Sequence, residues 1–190
     1  MDYSNYLEKT ISVMKLMLNN DYQIKAALEV MKKTLSKDGT LYFCGNGGSA
    51  ADAQHWAAEF VGKFRIAGHP ISAIALTTNT SIITAIANDI SFDYVYSRQI
   101  EATGRNGDIL CAISTSGESK SIIEAAITAK KIGMQVISLT GQNKNSLDEI
   151  SHISVKVPST ETEIIQHVHV TIGHYLAGEL EVLFRKDDTK

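Results

Sequence analysis

Five short apolar runs separated by helical stretches constrain this chain more than any other feature. They are TLYFC (40–44), ISAIAL (71–76), DILCAI (108–113), MQVISLT (134–140) and HISVKV (152–157). Each has the length of a strand, and nearly all of their side chains are apolar. A strand apolar towards both sides must be covered on both sides, which is the habit of parallel sheets flanked by helices. The alternation therefore predicts an α/β fold with a mainly parallel sheet. Right-handed crossovers then place every strand-to-helix loop at one edge of the sheet, the carboxyl edge where open α/β sheets bind ligands.

Helical periodicity fills the intervals. Ile11, Met14 and Leu18, then Ile24, Leu28, Met31 and Leu35, recur at three- and four-residue spacing. They predict helix over the first 38 residues, with a break around Asn19 to Asp21 and a stop at Gly39. Further helices are expected to Phe64, near 80–87, to about Ile132, and from about Glu161 onwards. GQNKNSLDE (141–149) reads as a polar loop. With no internal repeat, low-complexity tract or linker, the chain reads as one domain, 1–190. At 190 residues it can bury a real core.

Composition excludes some functions. The net charge of −3 gives no electrostatic footprint for nucleic acid. No apolar stretch is long enough to cross a bilayer. MDYSNYLEK lacks the basic and apolar regions of a signal peptide, so a cytoplasmic protein is expected. Cys44 and Cys111, both in apolar strands, read as buried free thiols of a reducing compartment.

Two loops at the carboxyl edge are unusual. GNGGSA (45–50) joins a strand to a helix. Its glycines permit positive φ and close backbone approach, so successive N–H groups can face an anion, and Ser49 is placed to cap the helix. It is neither a Walker loop nor a clean GxGxxG. STSGES (114–119) brings Ser114, Thr115 and Ser116 before Gly117, with Ser119 opening the next helix. Hydroxyls at a helix N-terminus make a neutral phosphate cradle. Two such loops at one edge point to a sugar-phosphate pocket.

A third feature points to chemistry. His55 and Glu59, four apart on a helix, project from one face; His can bind a metal and Glu can act as base or ligand. The last helix carries Gln166, His167, His169 and His174. Spacing does not choose between Gln166 and His167 as the partner of His174, and mildly favours His167. Gly173 permits a close approach, either of a ligand or second chain or as a plain packing contact.

Together, CGNGGSAADAQHWAAEF, AIANDISFD, ISTSGESKSIIEA and IQHVHVTIGH closely resemble the phosphoheptose isomerases of the sugar isomerase (SIS) family, and the resemblance covers essentially the whole chain. It implies a flavodoxin-like three-layer α/β/α sandwich with N-terminal helices (1–38) used in oligomer packing. It implies a homotetramer with active sites between subunits. It also implies interconversion of sedoheptulose 7-phosphate and D-glycero-D-manno-heptose 7-phosphate through an enediol, towards lipopolysaccharide or capsule heptose. The matching motifs put substrate contacts on Asn46, Gly47, Gly48, Ser49, Glu59, Asn88, Asp89, Ser114, Thr115, Ser116, Ser119 and Gln166. They put one Zn²⁺ per subunit on His55, Glu59, Gln166 and His174, and the catalytic acid/base pair on Glu59 and His174. A glutamate bound to zinc is less basic, so the two roles of Glu59 compete. One departure is Lys63, where the family often has arginine; Arg65 lies two residues on. A non-enzymatic relative that binds a replication initiator lacks the glutamate and the last histidine, both present here. A different sugar-phosphate SIS enzyme is the other alternative.

Overall fold

A computed structural model of the chain describes residues 2–19 and 21–185. Helix α1 (Tyr3–Leu16) ends in a 3₁₀ turn at Met17–Asn19, and α2 (Asp21–Leu35) follows. The predicted break is therefore present; Asn20 within it lies outside the described residues. Then come β1 (Leu41–Gly45), α3 (Gly48–Val61), β2 (Ala73–Ala75) and α4 (Thr80–Asp89). A 3₁₀ turn (Phe92–Tyr94), α5 (Ser97–Thr103), β3 (Ile109–Ile113) and α6 (Lys120–Lys131) continue the chain, and β4 (Gln135–Thr140), α7 (Ser146–Ile150), β5 (Ile153–Lys156) and α8 (Thr162–Phe184) complete it.

The five strands pair in parallel in the order β2-β1-β3-β4-β5. This is the flavodoxin-like order, and its direction reverses between β1 and β3. The loops after those two strands, GNGGSA and STSGES, therefore flank the switch point.

Strand pleating explains the apolar runs residue by residue. Leu41, Phe43, Ile109, Cys111, Ile113, Ile137 and Leu139 face a core shared with α1, α2, α3 and α8. Their alternates Tyr42, Cys44, Leu110, Ala112 and Val136 face a second core with α5, α6 and α7. Successive side chains point to opposite sides, so a sheet covered twice needs both sets apolar. Cys44 and Cys111 are both fully buried and free, and burial pushes both thiols up, so neither is a reactive thiolate.

α8 is the spine of the first layer. Ile164, Val168, Ile172, Leu176 and Leu180 recur along its buried stripe. Its Gly173 is a packing contact: a Cβ there would run into the Trp56 ring of α3. The helices that carry the predicted His–Glu pair and His174 thus pack at close range. α4 is different, for it is rich in Ile and Ala yet has no buried residue. No helix among the described residues is long and apolar enough to cross a membrane.

Candidate active site

The loops after β1 and β3 enclose a cavity of about 350 Å³ with the start of α8. Asn46, Gly47, Gly48, Ser49, Ser114, Thr115, Ser119 and Gln166 line it, as does Thr162, which the sequence reading did not single out. Gln166 lies directly against Gly48. Ser116 instead borders the neighbouring cleft, where its hydroxyl accepts from the Glu118 N–H at 3.2 Å. Asn88 and Asp89 also stand off this wall: at the exposed end of α4, the Asn88 amide donates to Asp89 at 2.7 Å.

The helix starts around the cavity differ in their capping from those of α1, α4 and α7. α1, α4 and α7 are capped by the side chains of Asp2, Asn79 and Asn145. α3, α6 and α8, the three helices that begin at the cavity, have no side-chain cap bond. Gly47, at φ 57°, holds the N-cap position of α3, a backbone state that favours glycine. Ser49 therefore sits inside the helix rather than capping it. First-turn N–H groups left without caps are the usual partners of phosphate oxygens, and the helix dipoles add to the attraction.

Asn46 is held by two residues that sequence reasoning missed. The buried Tyr96 hydroxyl donates to the Gly45 carbonyl at 2.7 Å and lies 3.1 Å from Asn46 Oδ1. Asn46 Nδ2 donates to Ser121 at 3.0 Å. Burial pushes the Tyr96 phenol well up, so it stays a donor. Tyr96 follows the 3₁₀ turn, and no periodic pattern marked that region.

One wall away, three side chains converge. His55 and His174 face each other with Nε2 atoms 2.8 Å apart, and Glu59 Oε1 lies 3.3 Å from His55 Nε2. One donor atom from each of the three falls within 4.8 Å of the others. His167, which spacing favoured, is engaged elsewhere, with its Nε2 2.8 Å from the Tyr6 hydroxyl of α1. His169 is fully buried. Phe64 stacks on the His174 ring at 5.3 Å and 9°, and the Arg65 guanidinium lies 4.6 Å from the Phe64 ring centre.

The trio fits a divalent metal. Two imidazoles and a carboxylate are ordinary zinc donors. With bonds of about 2.0–2.1 Å, tetrahedral ligands stand roughly 3.3 Å apart. The carboxylate already has that spacing from His55, and the imidazole pair needs to open by only about half an ångström. Without a metal, one Nε2 must carry the proton that the other accepts.

Asp52, one turn before His55, is buried with Oδ2 unpartnered. Desolvation pushes its carboxyl up to about 6, while charge on His55 and His167 opposes the shift.

The SIS domain family model matches residues 3–141, so the chain belongs to the SIS domain family. Within it, similar relatives include phosphoheptose isomerases. The one from Rhodospirillum rubrum is 46% identical over 158 residues, covering 83% of this chain and 84% of its own. A probable phosphoheptose isomerase from Thermoplasma acidophilum is 44% identical over 184 residues, covering 97% and 100%. The solved phosphoheptose isomerase of Neisseria gonorrhoeae superposes with a TM-score of 0.89 at 38% identity, covering 94% of this chain and 96% of that one. The chain is thus an isomerase of the phosphoheptose group.

Proposed function

We propose that this enzyme interconverts sedoheptulose 7-phosphate and D-glycero-D-manno-heptose 7-phosphate through an enediol, feeding heptose synthesis for a surface glycan. The observation that supports the reading is that one helix runs from the cavity to the His–Glu pair. Ser49 of α3 lines the anion cavity, and His55 and Glu59 lie further along the same helix. At about 1.5 Å per residue, His55 is roughly 9 Å along the axis from Ser49. Six C–C bonds and a phosphate ester span roughly 10 Å when extended.

In this reading the phosphate binds to the uncapped α3 and α6 N-termini and to the hydroxyls of Ser114, Thr115 and Ser119. Asn88, Asp89 and Ser116, which stand off the cavity wall, complete the proposed substrate contacts. Glu59 takes the proton from the carbon beside the carbonyl and returns it to the neighbouring carbon. His174 moves the oxygen-bound proton. His55, Glu59 and His174, with the Gln166 amide, would hold one Zn²⁺, which supplies polarisation of the substrate carbonyl. A metal held there would lower the basicity of Glu59, so its ligand and base roles compete.

The assembly we propose is a single-domain homotetramer in the cytoplasm. Tyr3, Leu18 and Tyr22 of the N-terminal helices are exposed, as are Ile90, Phe92 and Tyr94 after α4. An apolar cleft of about 370 Å³, lined by Met14, Met17, Leu18, Ile172 and Tyr175 among others, adjoins the first group. These faces suit second copies of the chain.

One assay tests the function. Purified protein is incubated with sedoheptulose 7-phosphate, with and without a strong chelator, and the aldose is followed. The aldose is expected, lost with the chelator and regained with zinc. A folded protein that makes none in either condition overturns the reading, whereas chelator-resistant turnover would overturn the metal alone.

A further inference from the structure

The site has a support that its motifs do not include. Near the end of α8, Glu181 and Arg185 form an ion pair, with Arg185 Nε and Glu181 Oε2 3.8 Å apart and both side chains almost wholly buried. Desolvating two charges is costly unless further hydrogen bonds meet their remaining donors and acceptors. Here nearly all of those bonds go to one short stretch, the end of α3 and the turn after it.

The Arg185 guanidinium donates to four main-chain carbonyls. Its two terminal nitrogens reach Gly62 at 2.6 Å and Ile66 at 3.3 Å, and Glu59 at 2.7 Å and Phe60 at 2.8 Å. The last carbonyls of a helix lack intrahelical donors, and the C-terminal end of the dipole favours a cation. The Glu181 carboxylate accepts the N–H groups of Arg65, at 3.0 Å to each oxygen, and of Ile66 at 3.1 Å. The pair therefore grips the backbone of Glu59 itself. It also fixes the turn that presents Phe64, whose ring stacks on His174.

We propose that Glu181 and Arg185 are positioning residues for the His55–Glu59–His174 trio. Neither touches the reacting atoms. They lock the end of α3, which carries two of the three groups, to α8, which carries the third, and through Phe64 they set the plane of the His174 ring. The inference rests on the trio being a metal centre, and it requires that loosening the clamp loosens the metal before it unfolds the protein.

The test measures zinc affinity of the full chain by competition with a chromophoric chelator, alongside melting of the metal-free protein. Arg185→Lys keeps the charge, but a point-charge ammonium cannot form the forked set of bonds. Phe64→Leu removes the stack without disturbing the buried pair, so it remains informative if the Arg185 variant folds poorly. Met134→Ala, in the other core, is the stability control. Both site variants are expected to weaken zinc binding about 10- to 100-fold, as loss of a group that orients ligands does. Met134→Ala is expected to lower the melting temperature with affinity unchanged. Wild-type affinity in both site variants overturns the proposal. So does a control that loosens zinc as much as Arg185→Lys for the same loss of melting temperature. A wild-type chain that binds no zinc overturns the metal reading along with it.

Discussion

The Nε2 atoms of His55 and His174 meet at 2.8 Å although 119 residues separate them in the chain. Two helices make the encounter possible, and both are held twice. They touch at mid-length, where Gly173 admits the Trp56 ring, and at their ends, where Arg185 of α8 binds the last carbonyls of α3. The geometry of the His55–Glu59–His174 trio is thus a property of helix packing. Four predictions follow from that arrangement and the cavity beside it.

Glu59→Gln is nearly isosteric but has no basic carboxylate. Turnover of sedoheptulose 7-phosphate should fall by about 10²–10⁴-fold, with KM changed far less. Steady-state kinetics decide it, and a kcat close to wild type removes Glu59 as the base.

Gly173→Ala drives a methyl into a ring that cannot move freely, because Trp56 is itself buried. A loss of about 1–3 kcal/mol is expected from overpacking, read in denaturant unfolding. Retained stability would mean that the Trp56 ring yields to the added methyl.

Tyr96→Phe deletes the hydroxyl that holds the Gly45 carbonyl and Asn46. A buried acceptor left unpaired costs about 1–3 kcal/mol. Because the residues it frees border the anion cavity, KM should rise more than kcat falls. An unchanged KM would show that Asn46 needs no such support.

His169 is buried with both ring nitrogens unpartnered. Burial lowers its pKa to about 4; the Thr140 backbone opposes this only weakly, since neither nitrogen completes a hydrogen bond. The folded value lies below the unfolded 6.5, so the neutral ring's share of stability is whole above pH 6.5 and is lost as pH falls towards 4. Over that window the loss amounts to about 3 kcal/mol at most. His169→Leu should abolish this contribution, so its melting temperature should exceed that of wild type increasingly from pH 7 to pH 4.5. Parallel pH profiles for the two proteins would rule the effect out.

How much of this was legible depends on the length of each pattern. The five strands showed in the sequence because a sheet covered twice leaves few polar positions; even so β2 pairs over only Ala73–Ala75 at the sheet edge. α5 and α7, seven and five residues long, are too short for a helical period to register, and α7 lay inside a predicted polar loop. α3 stops at Val61 rather than running to Phe64, because the chain turns at Gly62 and Arg185 takes the freed carbonyls.

The site was legible only to the same depth. His55 and Glu59 share a helix face, so spacing sufficed for them. Spacing on one helix did not choose between Gln166 and His167, and the Tyr6 hydroxyl that engages His167 belongs to α1. Ser49 looked like a cap, but Gly47, two residues earlier, holds that position. Tyr96 and Arg185 act on main-chain atoms of distant segments, and such contacts leave no periodic or motif signal.

The three helices that begin uncapped at the cavity have a consequence for how this enzyme can diversify. In the proposed site phosphate is held largely by main-chain amides, which substitutions other than to proline leave in place. Substitutions at the far end of the cavity can therefore change which sugar is accepted while the phosphate handle stays constant. Inorganic phosphate, which offers the same oxygens, becomes the natural weak competitor for every substrate such variants acquire.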